Sequence, residues 1–131
     1  MSLVNLVGHQ VVSYSFVSKL ANGTKIGLQT KYSYNVKYAE GSNLCKGELS
    51  CELCHKDEPE SFSVKLVMSG TFTYKAGSEK AALHVDSFNA LFPYAKAYIA
   101  MATSAGGIPP VNLPEIDITS QNIYNFEKPT P

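Results

Sequence analysis

The stretch Lys25-Ile26-Gly27-Leu28-Gln29-Thr30-Lys31-Tyr32-Ser33-Tyr34-Asn35-Val36-Lys37-Tyr38 decides the fold class. Its even positions are Ile26, Leu28, Thr30, Tyr32, Tyr34, Val36 and Tyr38, and its odd positions are Lys25, Gly27, Gln29, Lys31, Ser33, Asn35 and Lys37. A period of two is the signature of a strand. One greasy face and one hydrophilic face mark an antiparallel strand packed on one side and wet on the other. The lysines on the wet face also discourage edge-to-edge pairing.

Working outward, the same alternation recurs. Phe62, Val64, Leu66, Met68, Gly70, Phe72 and Tyr74 share one face of a strand over 62–74, and Gly70 interrupts the apolar row as a bulge or a close backbone approach does. A strand over Leu44–His55 puts Cys45, Leu49, Cys51 and Leu53 on one face. An earlier one, about Leu6 to Lys19, carries Val12, Tyr14 and Phe16 on one side, with Val11 and Val17 blurring its alternation. Ala21-Asn22-Gly23-Thr24 joins it to the next strand, and Asn-Gly is the strongest short hairpin signal. From about Asp86 to Ser104 the period becomes helical. Pro93 is best tolerated in a first turn, so the spacing predicts a helix starting between Asn89 and Phe92. It should end at Ala105, where Gly106-Gly107 supply the cap. Leu91, Ala95, Tyr98, Ile99 and Ala102 share one face of it.

The chain has 131 residues, 44% hydrophobic and 17% charged, which fits one domain spanning 1–131 with a core that needs no staples. All 11 basic residues are lysine and 11 acids balance them. With no arginine and no basic excess, a specific nucleic-acid reader is not expected. The apolar runs fall far short of the roughly 20 residues of a spanning helix, and Met1–Gln10 lacks a charged stretch followed by an apolar run. The expectation is a cytoplasmic protein with no stable membrane insertion.

Cys51-Glu52-Leu53-Cys54-His55 has the spacing of covalent haem attachment. Residues three apart on a strand point to opposite faces, so both thiols reach one haem only if the strand breaks. A zinc site from Cys45, Cys51, Cys54 and His55 lacks the two close pairs that such sites use. No cofactor and no metal are therefore expected. His84 and Asp86 near the helix start read as capping rather than catalytic residues, no Gly-x-Ser-x-Gly occurs, and Gly106-Gly107 follows a helix instead of opening one. An enzyme is not expected.

Lengths carry a further expectation. A strand of 13 residues spans roughly 40 Å at about 3.3 Å per residue, and a helix of about 14 residues spans roughly 21 Å. Such a helix leaves rows with Tyr32, Tyr34, Tyr38, Phe72 and Tyr74 uncovered, and a bare apolar patch of that size marks an interaction surface. Self-association should close part of it. The alternative is a monomer whose proline-rich tail folds back over the sheet.

Leu91-Phe92-Pro93-Tyr94-Ala95-Lys96, then Ile99, then Ser104-Ala105-Gly106-Gly107-Ile108-Pro109 and Val111-Asn112-Leu113-Pro114-Glu115-Ile116-Asp117-Ile118 resemble the SecB family of protein-export chaperones. The strand over 62–74, with Gly70 ahead of Thr71-Phe72, resembles the family's last strand. The resemblance implies an α+β fold: a four-stranded antiparallel Greek-key sheet packed by one long helix, with an extended crossover and a short C-terminal helix. It implies a homo-oligomer, a dimer or a tetramer built as a dimer of dimers with helices sandwiched between sheets, so that Leu91, Ala95, Tyr98, Ile99 and Ala102 would form an oligomer-interface helix. The implied activity is nucleotide-independent holding of unfolded or precursor polypeptides, handed on in some members to the translocase ATPase. The groove would be lined by Tyr32, Tyr34 and Val36 on the second strand and by Ile108, Val111, Leu113, Ile116 and Ile118 on the crossover. Ile123, Tyr124 and Phe126 would line it from the last helix. The chain differs from acidic members of the family in its zero formal charge and in Lys31 and Lys37 on the wet face. A SecB-like domain dedicated to one specific partner is the alternative.

Overall fold

Four strands and one long helix build the molecule: β1 Val4–Ser18, β2 Leu28–Tyr38, β3 Leu44–His55, β4 Phe62–Tyr74 and α1 Lys80–Ala105, with a 3-10 turn at Pro59–Ser61. The computed structural model describes residues 3–20, 27–39 and 41–113. The strand order is β1-β4-β3-β2 and every neighbouring pair is antiparallel. β2, β3 and β4 form a meander and β1 lies beside β4, which is a Greek key. The α+β expectation holds; the short C-terminal helix lies outside the described residues.

The Asn22-Gly23 signal does not close a hairpin. β1 and β2 occupy opposite edges of the sheet, with β4 and β3 between them. The link from one to the other crosses three inter-strand steps, roughly 14 Å at about 4.8 Å each, so it is a crossover and not a tight turn.

β3 and β4 have the bounds that their alternation predicts, whereas β1 does not keep one phase. Leu6 faces Phe72 and Gly8 faces Thr71; Val11 faces Met68 and Ser13 faces Val67. Val7 and Val12 are therefore extra residues at two bulges, and they are 61% and 51% exposed. Each bulge slips the phase by one, so Leu6, His9, Val11, Tyr14 and Phe16 share the helix side through their partners Phe72, Gly70, Met68, Leu66 and Val64. Val12 does not share a face with Tyr14 and Phe16, which corrects the sequence expectation.

The helix begins at Lys80, about ten residues before the predicted start, and holds Pro93 in its interior. Pro93 offers no N–H to the carbonyl of Asn89, the residue four before it. Both residues are exposed, so the missing bond falls on the solvent side of the helix, where water can serve the freed carbonyl at small cost. At 26 residues the helix is about 39 Å long, a near match to the roughly 43 Å of a 13-residue strand. One helix therefore shields most of the apolar face. Tyr34 and Phe72, expected to be bare, are fully enclosed, and Tyr32, Tyr38 and Tyr74 are half-buried against the core.

Two glycines let the helix sink into the sheet. Val36, Gly47, Gly70 and His9 form one cross-strand row. A Cβ at Gly70 would lie 3.0 Å from Leu91 Cδ1, and one at Gly47 would lie 2.7 Å from Tyr34 Cζ. Leu91 and Tyr34 thus occupy the space that side chains in this row would fill. The Tyr34 hydroxyl donates to Ser87 Oγ (2.7 Å), which donates to the His84 carbonyl (3.1 Å), while the Tyr34 ring lies edge-on to His84 and Phe88.

Candidate functional site

The helix lies obliquely on the sheet. Along β2 its contacts run from Lys80 over Tyr38 through His84 and Phe88 on Tyr34 to Phe92 on Tyr32. Along β1 they continue further, from Asp86 at Leu3 through Tyr94 on His9 and Tyr98 on Tyr14 to Gly106 at Phe16. The C-terminal end of the helix therefore leans toward β1 and leaves the helix-side face of β2 uncovered beyond Tyr32. The next two residues on that face, Thr30 and Leu28, are exposed, Leu28 by 42%.

The chain leaves the helix at this same end of the sheet, and its first turn back is tied down. Gly107 takes a left-handed φ of 93°, which a side chain disfavours, and its N–H donates to the Ser104 carbonyl (3.1 Å). The Thr103 hydroxyl, buried, donates to the Ile99 carbonyl (2.7 Å) and accepts from the Val111 N–H (2.9 Å). This hook anchors 108–113 against the last helical turns. Leu113 is enclosed in the core, while Ile108 and Val111 remain half-buried, with Pro109 and Pro110 exposed between them. The result is a corner between the bare end of β2 and the leaning helix, with the proline-stiffened segment leaving from the end of the helix that lies over β1.

Of the residues expected to line a groove, Tyr32, Val36, Ile108 and Val111 keep partly exposed apolar surface. Tyr34 and Leu113 do not. Both are enclosed, Tyr34 beneath the helix and Leu113 within the core cluster, and neither presents a face to a ligand. Ile116, Ile118, Ile123, Tyr124 and Phe126 lie outside the described residues. Leu28 and Thr30 enter the corner instead; the alternation placed them on the right face, but only the slant of the helix leaves them bare.

The helix face expected to form an oligomer interface is largely enclosed within the chain itself. Leu91, Ala95 and Ile99 are fully enclosed by this chain's own sheet, so a second chain cannot touch them. Tyr98 is half-buried against Tyr14 (ring centroids 5.3 Å), and Ala102 is half-buried. The accessible apolar strip lies one flank over, in a hollow of about 400 Å³ between helix and β1 lined by His9, Val11, Tyr94, Ala97 and Met101, among others. Tyr94 and Met101 are well exposed there.

Burial governs the titratable groups around the core. It pushes the Cys51 thiol up to about 12, raises Tyr32 and Tyr14, and lowers His84 to about 4. The Tyr32 hydroxyl is buried without a partner of hydrogen-bonding geometry among the described residues. Cys51 faces the core, while Cys54, an odd number of residues away, lies on the opposite face. His55 Nδ1 accepts the backbone N–H groups of Asp57 and Glu58, a turn-capping role. Among the described residues no three His, Cys, Asp or Glu side chains are grouped to hold a metal, and no helix is long and apolar enough to cross a membrane.

A family model for preprotein translocase subunit SecB matches residues 25–128. The chain belongs to the SecB family. Among solved structures this SecB-family fold is similar to that of the SecB-like chaperone Rv1957 of Mycobacterium tuberculosis, in complex with a ChAD peptide from the HigA1 antitoxin Rv1956. The TM-score is 0.71 at 14% identity, covering 86% of this chain and 90% of that one. A protein of unknown function from Streptococcus agalactiae shares the fold at a TM-score of 0.52 and 13% identity, covering 88% of this chain and 99% of that one. No curated protein matches the sequence. The SecB-family match begins at Lys25, ahead of β2, and so leaves out β1, the strand whose bulges break its sequence pattern.

Proposed function

We propose that this SecB-family protein holds extended or unfolded polypeptide segments, without nucleotide and without catalysis, in the corner between the bare end of β2 and the leaning helix, with the segment after the helix as its movable rim. The observation that carries this reading is the exposed end of β2, Leu28 and Thr30, which the oblique helix leaves to solvent beyond the half-buried Tyr32. Burying apolar area there contributes about 25 cal/mol per Å² regardless of client sequence, which suits promiscuous capture. The stiff Pro109-Pro110 rim limits the ordering cost when a client docks. Homo-oligomers form, in this reading, through the β1–helix flank. Delivery to the translocase ATPase is the export-linked version of the same activity.

A second reading, a domain dedicated to one partner, has its own support. The similar Mycobacterium tuberculosis protein was solved with a peptide from an antitoxin, and the present chain has zero formal charge.

Aggregation of a chemically unfolded client, followed by light scattering in nucleotide-free buffer, tests the proposal. Stoichiometric suppression is expected, and the double variant L28S/V111S should weaken it several-fold with an unchanged circular dichroism spectrum. Full suppression by that variant removes the corner from the binding site. No suppression by the parent chain, together with a single stoichiometric co-purifying protein, favours the dedicated-partner reading.

A further inference from the structure

The face of the sheet away from the helix is charged differently at its two ends. Lys31, Glu52 and Lys65 form one cross-strand row, in which Lys65 Nζ bridges Glu52 at 3.3 Å. Toward the other end, Lys37 and Lys46 are direct cross-strand partners. Like charges directly opposed destabilise a sheet. Protection against edge pairing explains a lysine on β2, but Lys46 is on β3, an interior strand, where that explanation fails. Glu48 lies one row away on the same face, and among the described residues it bridges neither lysine. The pair is thus an unmatched double positive charge in a chain that is neutral as a whole.

The surface is recessed on both sides of the pair. One hollow of about 470 Å³ is lined by Asn35, Val36, Lys37, Lys46 and Glu48. A second, of about 290 Å³, shares Lys37 and Lys46 and adds Ala39, Leu44 and Thr71 to its lining. Leu44 is 40% exposed there. From Asn35 to Ala39 the recess follows β2 for four residues, roughly 13 Å at about 3.3 Å each. It is cationic in the middle and apolar at one end. β3 is bonded to a strand on each side, so the face over it offers no free N–H or C=O. A partner seated on this face must satisfy its own backbone, which a helix does internally.

We infer that this face, at the Lys37–Lys46 pair, docks an acidic amphipathic helix of a folded partner protein, with carboxylates over the two ammonium groups and an apolar side chain against Leu44. Charge complementarity fixes the sign of the partner, and its carboxylates relieve the repulsion within the pair. The length also fits. The recess takes about two and a half helical turns, and residues four apart on a helix, about 6 Å, match the two-residue step of roughly 6.6 Å from Lys46 to Leu44. The site lies on the opposite face and at the opposite end of the sheet from Leu28 and the corner. It is therefore independent of the polypeptide-holding reading and can be filled while a client is held.

The probes are fluorophore-labelled, alanine-rich peptides of about 18 residues, held helical by a lactam staple on the side away from the binding face. One carries two glutamates and a leucine on that face, and a second has lysines in place of the glutamates. A third, unstapled, keeps the glutamates and the leucine but has a central proline that breaks the helix. Titrated against the full chain by anisotropy at low salt, the glutamate helix should bind at least about tenfold tighter than the lysine helix, because two attractive pairs become repulsive ones. The preference should collapse in about 0.5 M salt as exposed charges are screened. The K37E/K46E double variant should reverse the preference, and L44S should weaken binding of the glutamate helix several-fold. An excess of unfolded client should leave that helix bound. Equal binding of the two helices, an unchanged preference in K37E/K46E, undiminished binding to L44S, tight binding of the proline peptide or displacement by the client overturns the inference. Failure of every probe to bind overturns it too, and each of these outcomes leaves the holdase reading standing.

Discussion

At the scale of single residues, the contact between Gly47 and Tyr34 ties sheet to helix. A methyl group at Gly47 would fall on the Tyr34 ring and displace a side chain that is enclosed and bonded to Ser87. Gly47→Ala is expected to cost about 2–3 kcal/mol by overpacking. Tyr34→Phe, which removes the hydroxyl nearest that methyl, should cost about 1 kcal/mol alone. Because the two changes share one contact, the double variant should be less destabilised than the sum, and urea titrations of the four proteins measure that coupling; strict additivity contradicts the contact. His84 gives the pH dependence. Burial holds its folded pKa near 4, below its ordinary 6.5, so between these values the unfolded chain binds the extra proton. The stabilising contribution is complete above about 6.5 and is lost as pH falls toward 4. The urea midpoint of the parent should therefore drop more steeply across that window than the midpoint of His84→Gln. Parallel profiles would show that His84 does not carry the effect.

At the scale of elements, the sequence pattern was clear wherever one periodicity ran without interruption. β3 and β4 could be bounded to the residue because Cys45 to Leu53 and Phe62 to Phe72 keep one phase. β1 resisted because Val7 and Val12 each add a residue, and an alternation count has no term for a bulge. The hairpin signal at Asn22-Gly23 is local, while the placement of β1 beside β4 follows from long-range packing that no dipeptide encodes. Pro93 points to a later helix start because proline favours a first turn, whereas the buried residues Leu83, Phe88 and Leu91 ahead of it already belong to the helix. Leu91, Ala95 and Ile99 face the sheet, and the flank of Tyr94, Ala97 and Met101 stays accessible, which is where the proposed contacts between copies would form. Met101→Glu places a charge in that flank without entering the core. Light scattering should give a multiple of 14.2 kDa for the parent and the monomer mass for the variant. An unchanged assembly in the variant contradicts the flank as interface.

At the scale of the whole molecule, a helix nearly as long as the sheet and set obliquely across it accounts for both the stability and the opening. The long axis of the helix encloses Tyr34, Phe72 and Met68, and its lean toward β1 uncovers one end of β2. The SecB fold was legible in the helix and turn residues around Leu91–Ile108, but the position of the bare corner was not, because it depends on the angle between two elements that the sequence describes only separately. The most direct measurement uses a photo-crosslinking residue placed in turn at Leu28 and at Leu44. The two sites are almost equally exposed, 42% and 40%, but lie at opposite ends of the sheet and on opposite faces. Irradiation with an unfolded client should give strong adducts from position 28 and little from 44; equal yields, or adducts from 44 alone, would contradict capture in the corner that the helix leaves open.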